Sequence, residues 1–158
     1  MSQVEEHMRA VYCIAVVLAL LALVACRTAS TQNGSAAAMS AGEATAAADL
    51  VQRQLEAYNA QDLEAFLATY ADDAVIMSRA TGQILLQGKQ AIRDRYGKIF
   101  QQYPKNHARI AERRTEGNNV VMDHEIVTGR GPEKPDPWDV GWVRYEVEGG
   151  LIRRVQLP

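Results

Sequence analysis

The stretch Asn59–Met77, NAQDLEAFLATYADDAVIM, decides how this chain folds. Asp62 is placed to cap a helix, because its carboxylate can accept a bond from a free backbone N–H one turn on. Leu63, Phe66, Leu67 and Tyr70 then recur at i, i+3, i+4 and i+7, one apolar helical face. Ala71-Asp72-Asp73 reads as the stop, since short acids compete for backbone bonds and favour turns. Ala74–Met77 is a short apolar run with two β-branched residues, so it reads as a buried strand. A helix hairpin folded onto a strand is the corner of an α+β domain.

Outward from that corner, Ala47, Leu50, Val51, Leu55 and Tyr58 line one face of a preceding helix over 44–59. Thr81-Gly82 reads as a turn and Gln83–Leu86 as a short strand returning on the first. Gly88 precedes a third helix, Lys89–Gln102, with Ile92, Tyr96, Ile99, Phe100 and Tyr103 on one face and Pro104 beyond its end. The remainder reads as β: His107–Glu116, a Gly117-Asn118-Asn119 turn, Val120–Thr128, a loop Gly129–Pro137, Trp138–Val147, a turn, and Leu151–Leu157. The expected order is α-α-β-β-α-β-β-β-β, with the late strands antiparallel because short turns join them. Three helices on one side of a curved sheet enclose a cone with an apolar interior.

The chain has 158 residues, a formal net charge of -2 and 47% hydrophobic residues. That is room for one domain and one apolar segment, and nothing in the charge points to nucleic acid. The apolar segment is Ala10–Ala25, shorter than the roughly 20 residues of a membrane span. A secretory signal fits better. Its end, Leu23-Val24-Ala25-Cys26, resembles a bacterial lipobox, which implies cleavage before Cys26 and lipid on its sulfur; an uncleaved anchor or an ordinary signal are the alternatives. Glu5 and Glu6 break the positive start of a signal, whereas a start at Met8 restores it, so Met8 is the expected initiator. With residues 1–25 removed and Cys26 lipidated, no thiol remains for a nucleophile, a disulfide or a thiolate metal site. Arg27 follows Cys26, and by resemblance to Gram-negative lipoproteins a residue other than Asp there implies the periplasmic face of the outer membrane. Arg27–Ala46 is small and polar and reads as a tether, with its Ala-rich end open to extending the first helix.

Four runs carry a further resemblance: Val51–Met77, the Gly88-Lys89-Gln90-Ala91-Ile92 run with Tyr96, and the later strands Val121–Gly129 and Tyr145–Val155. Together they resemble the nuclear transport factor 2-like superfamily, in its SnoaL-like, steroid isomerase-like branch, over 47–158. The resemblance implies the cone fold and, in relatives, a sheet-to-sheet homodimer. It also implies where a ketosteroid isomerase would hold its catalytic groups, and those positions here are Gln54, Ser78 and the neighbourhood of Gly141. Serine is no base near neutral pH, so that reaction by its usual residues is not expected.

The remaining polar cluster is Asp123-His124-Glu125. Alternation puts both acids on one face, about 7 Å apart, and His124 on the other. Facing the cone, one carboxylate would be desolvated and available as a general base for an isomerase, lyase or cyclase without a cofactor. Facing outward, the acids would pair with Arg109, Arg113, Arg144 or Arg154 across strands. Adjacent strand residues diverge, so the three cannot chelate one ion, and no metal is expected. Tyr58, Phe66, Met77, Tyr96 and Tyr103, with Gln54, Ser78 and Tyr145, are candidates to line a pocket for a small apolar ligand. Trp138 and Trp142 share strand parity, opposite to Val143, Tyr145 and Val147.

Overall fold

The computed structural model describes residues 42–158. The signal segment, the Met8 start, Cys26 and most of the tether lie outside the described residues. Helix α1 covers 42–60, so the end of the tether extends the first helix, the alternative the sequence left open, and the helix starts two residues before the expected 44. Asn118 Nδ2 donates to Glu43 at 2.8 Å, which joins this first turn to the hairpin of the third and fourth strands.

Gln61, at φ 55, reverses the chain after α1. Its amide donates to the Tyr103 carbonyl at 3.0 Å, which holds the reversal against the third helix. Asp62 caps α2 (Leu63–Ala68) as expected, its Oδ1 accepting from Ala65 N at 3.0 Å. The helix then ends earlier than the periodicity predicts. Strand β1 runs Tyr70–Ser78, so Tyr70 is a strand residue and Ala71-Asp72-Asp73 is not a turn. The cause is tertiary. β1 lies parallel to the last strand, and Ile152 N donates to the Thr69 carbonyl at 2.9 Å, offering the backbone a ladder at the point where the helix would continue. The register shifts between Tyr70 and Val75, which lets Asp72 and Asp73 both stand in solvent, paired to Lys89 and Arg153.

β2 (Ile84–Gln87) pairs back on β1, and Gly88, at φ 82, turns the chain into α3 (Lys89–Gln102). The last four strands are β3 (His107–Glu116), β4 (Val120–Thr128), β5 (Trp138–Glu148) and β6 (Leu151–Leu157). One six-stranded sheet has the order β2-β1-β6-β5-β4-β3, antiparallel except for β1 against β6. This is the expected α+β cone: three helices from the N-terminal half against a mostly antiparallel sheet.

The core under the helices is aromatic. Phe66 is fully buried, with its ring centroid 4.6 Å from Tyr96, 5.1 Å from Tyr70 and 5.9 Å from Phe100. β5 carries the feature that shapes the interior. Glu125 faces Gly141, but Ile126 faces Asp139, so Val140 is an extra residue in a bulge. Gly141 has φ 89, which only glycine adopts without strain. The bulge breaks the parity expected for the two tryptophans. Trp138 packs on the core with Val140, whereas Trp142 stacks on His124 with the Arg114 guanidinium 4.5 Å from its ring.

Candidate functional site

A chamber of about 120 Å³ lies inside the cone, between α1, α3 and the inner face of β3–β6. Its apolar wall includes Trp138, Val140, Val155 and Leu157. Its polar groups are Gln54, Tyr58, Tyr70, Tyr96, Glu125, Arg130 and Tyr145.

Alternation along β4 puts Asp123 and Glu125 on the same inward face, but their surroundings differ. Asp123 is 1% exposed and does not line the chamber. Arg113, its directly paired residue on β3, holds it through two parallel bonds of 2.7 Å from Nε and Nη2. Nη1 of the same guanidinium donates to Gln52 Oε1 at 3.1 Å and to the Ala48 carbonyl at 3.3 Å. Asp123 is therefore the middle of a brace tying α1 to the sheet.

Glu125 has no such cation. Its surface is only partly covered because it opens into the chamber, yet protein surrounds it on the remaining sides. Burial pushes its carboxyl up to about 7. The Tyr145 hydroxyl, which donates to Oε1 at 2.5 Å, pulls the other way, and nearby Asp123 adds to the rise. Burial also raises the phenols of Tyr145 and Tyr70 well above their ordinary range, so both are donors at any physiological pH. Gln54 Nε2 donates to the Tyr70 oxygen at 3.0 Å and keeps that phenol in place.

Tyr58 is the second polar centre. Its oxygen accepts from Asn106 Nδ2 at 2.5 Å and from Arg130 Nη1 at 3.2 Å. Two accepted bonds occupy both lone pairs, which leaves the phenolic hydrogen free to be donated elsewhere. Burial raises the Tyr58 phenol against the pull of Asn106 and Arg130. The chamber thus offers a titrating carboxyl, a phenolic donor and a guanidinium among apolar walls.

Residues 51–155 match the family model of the SnoaL-like domain. The chain belongs to this family. Among solved structures, this SnoaL-like chain is similar to an uncharacterized cystatin-fold protein from Novosphingobium aromaticivorans, 31% identical, with a TM-score of 0.62 over 70% of this chain and 95% of that one. It is also similar to a protein provisionally assigned as a polyketide cyclase from Sinorhizobium meliloti, with 24% identity and a TM-score of 0.59 over 70% of this chain and 94% of that one. A protein provisionally assigned as a ketosteroid isomerase from Kribbella flavida aligns at 19% identity and a TM-score of 0.57, over 76% of this chain and 82% of that one. The last two likenesses establish a common fold and no common reaction. No curated protein matches this chain by sequence.

Of the residues singled out from the sequence, Gln54, Tyr58, Tyr96, Glu125 and Tyr145 meet in the chamber of the SnoaL-like domain. Phe66 lies behind it, in the aromatic core. Tyr103 faces the hollow outside, beneath the Arg130 guanidinium. Met77 and Ser78 sit near the far end of β1 and line neither space. For Met77 the cause is the pleat, since Ile76 is the inward residue there; Ser78 shares the parity of Ile76 but is the last residue of the strand. Sequence reasoning missed Asn106, Arg130 and Trp138. Arg130 lies in the loop 129–137 and Trp138 directly follows it; the composition of 129–137 marks a loop but not which side chains turn inward. Among the described residues, no group of three His, Cys, Asp or Glu side chains could hold a metal ion.

Proposed function

We propose that this SnoaL-like protein binds a small, mostly apolar ligand in its cone, with Glu125 and Tyr58 addressing the ligand's buried end. The observation that carries this reading is the interior chamber itself: apolar walls with a few convergent polar groups, one of them a carboxyl raised by burial. Trp138 lines it, so ligand titration with Trp138 fluorescence is the direct test. Replacing Val140 by Phe should crowd the space and abolish quenching; undiminished binding by that variant would rule out the chamber.

A second reading uses the same groups for catalysis without a cofactor, as an isomerase, lyase or cyclase. What favours it is Glu125. A carboxyl near 7 is present in both forms at neutral pH and can remove and return a proton. The Tyr58 hydrogen and Arg130 would hold the oxygen of an enolate formed next to a carbonyl. Asp123, bound by Arg113, is no longer a candidate base in this reading. Glu125→Gln separates the two readings: a binder keeps its ligand and has no turnover to lose, whereas an enzyme keeps binding and loses turnover. Ketosteroid isomerase chemistry by its usual residues forms no part of either reading, given Gln54, Ser78 and Gly141.

The proposal places the domain in the bacterial envelope, lipidated on Cys26 and facing the periplasm from the outer membrane. The support is the Leu23-Val24-Ala25-Cys26 sequence at the end of an apolar core. Labelled palmitate should enter the wild-type protein and not Cys26→Ala. A homodimer through the outer sheet face is proposed alongside. Trp142 stands on that face, and its replacement by Glu should reduce the mass seen by analytical ultracentrifugation.

A further inference from the structure

We infer that the ligand is an anionic amphiphile whose acidic head lies at the mouth of the cone, held by Arg130 with Arg95, Lys98 and Lys134. This rests on the binding reading above and adds the chemistry of the ligand's head.

Size comes first. The chamber of about 120 Å³ is below the roughly 300–1,000 Å³ that ligand sites need. Outside it is a second hollow of about 730 Å³, between α3, β2 and the loop 129–137. The two share Tyr96, Arg130, Trp138 and Leu157 as walls. These four side chains stand between the two spaces, and in the binding proposed here a ligand that reaches Glu125 passes Arg130 and extends into the outer hollow.

Charge comes second. The outer hollow is lined by the cations Arg95, Lys98, Arg130 and Lys134 and by the single acid Glu133. The chain as a whole is net negative, at -2, so this is a local reversal of sign. Elsewhere Lys89, Arg93, Arg113, Arg144 and Arg153 each meet a carboxylate, whereas the scattered Arg53, Arg79, Lys105 and Arg109 form no ion pair among the described residues. None of the four cations at the mouth forms an ion pair among the described residues. Instead, Lys134 lies 4.4 Å from the Trp138 ring and Arg130 lies 5.7 Å from the Tyr103 ring. These contacts seat both cations on aromatic rings that line the hollow, with no carboxylate of the described residues at ion-pair distance.

Orientation comes third. The inner end holds Glu125, with Asp123 close enough to raise it further. An anionic head there would face the Glu125 carboxyl in a poorly solvated space. At the mouth it would meet only the single acid. The apolar body belongs inside, against Trp138, Val140 and Leu157. Leu85, 45% exposed on the edge strand β2, extends that apolar surface to the lip of the outer hollow.

The test uses four probes of one chain length on a Trp142→Phe background, so that Trp138 is the reporter: decanoate, decyl phosphate, 1-decanol and decylammonium. Both anions should bind roughly ten-fold more tightly than the alcohol, and the ammonium more weakly than the alcohol. The order of the two anions names the acid. Added salt should narrow the gap. Arg95→Gln with Lys98→Gln, both on the exposed side of α3, should weaken the anions several-fold and leave the alcohol unchanged. Equal affinity for anions and alcohol would overturn the inference and leave the binding reading standing. Quenching by none of the four would overturn both.

Discussion

The Tyr145 hydroxyl donates to Glu125 Oε1 at 2.5 Å, joining β5 to β4 along a diagonal rather than across a pair. Glu125 is paired with Gly141 in the ladder, and Tyr145 with Val121, four positions along the same regular stretch; the bulge at Val140 begins just beyond Gly141. The bond leaves the carboxyl anchored on one oxygen and open to the chamber. Anchoring by a neutral phenol, instead of an arginine, is what separates Glu125 from Asp123 two residues away.

That difference predicts opposite pH behaviour for stability. The Glu125 carboxyl rises from 4.5 in the unfolded chain to about 7 in the fold. Between those values the unfolded chain has released the proton that the folded one keeps. Stability therefore falls as pH rises from 4.5 towards 7 and levels off above it, by an amount on the order of 3 kcal/mol. Glu125→Gln should remove this slope and be the more stable form at pH 8. Urea denaturation of both proteins at pH 5 and pH 8 checks it; parallel slopes would refute it.

Asp123 should behave as a structural acid. Asp123→Asn leaves the Arg113 guanidinium half-buried without its counter-charge and should cost about 3 kcal/mol. Replacing both partners, Asp123→Leu with Arg113→Met, should cost less than the single change, because no buried charge is stranded. Urea denaturation without any ligand reads both. A single-variant loss below about 0.5 kcal/mol, as at an ordinary surface site, would contradict the brace.

Gly141→Ala tests the bulge. At φ 89 an alanine is strained, and its Cβ would stand 3.3 Å from Pro158 Cγ. The expected cost is about 1–3 kcal/mol, read as a lower melting temperature. Trp138 emission should shift as well, because relaxing the bulge moves Val140 out of the chamber wall.

Much of this architecture was legible in local pattern. The Asp62 cap, the third helix and the hairpins follow from residues within a few positions of each other. So does the shared face of Asp123 and Glu125, which alternation alone provides. Tyr70 was misplaced because an i+7 match cannot distinguish a helix's last turn from a strand's first residue. Its true setting is fixed by β6, far away in sequence. The split between the two acids was equally non-local: it depends on Arg113 across one ladder and on Tyr145 diagonally across the other. Gly141 inside a strand was a signal for that bulge, and it also explains why Trp138 and Trp142 part company. Arg130 reaches Tyr58 from a loop that has no periodicity, so only the folded chain reveals it.

The claim on which the functional reading turns is that Glu125 titrates near neutrality inside the cone. Carbon-13 NMR of glutamate-labelled protein follows its carboxyl directly as pH is varied. The wild-type midpoint should fall near 7, and Tyr145→Phe should move it higher, since the lost hydrogen bond favours the ionised form. A Glu125 midpoint close to the ordinary 4.5, unmoved in Tyr145→Phe, would contradict the account.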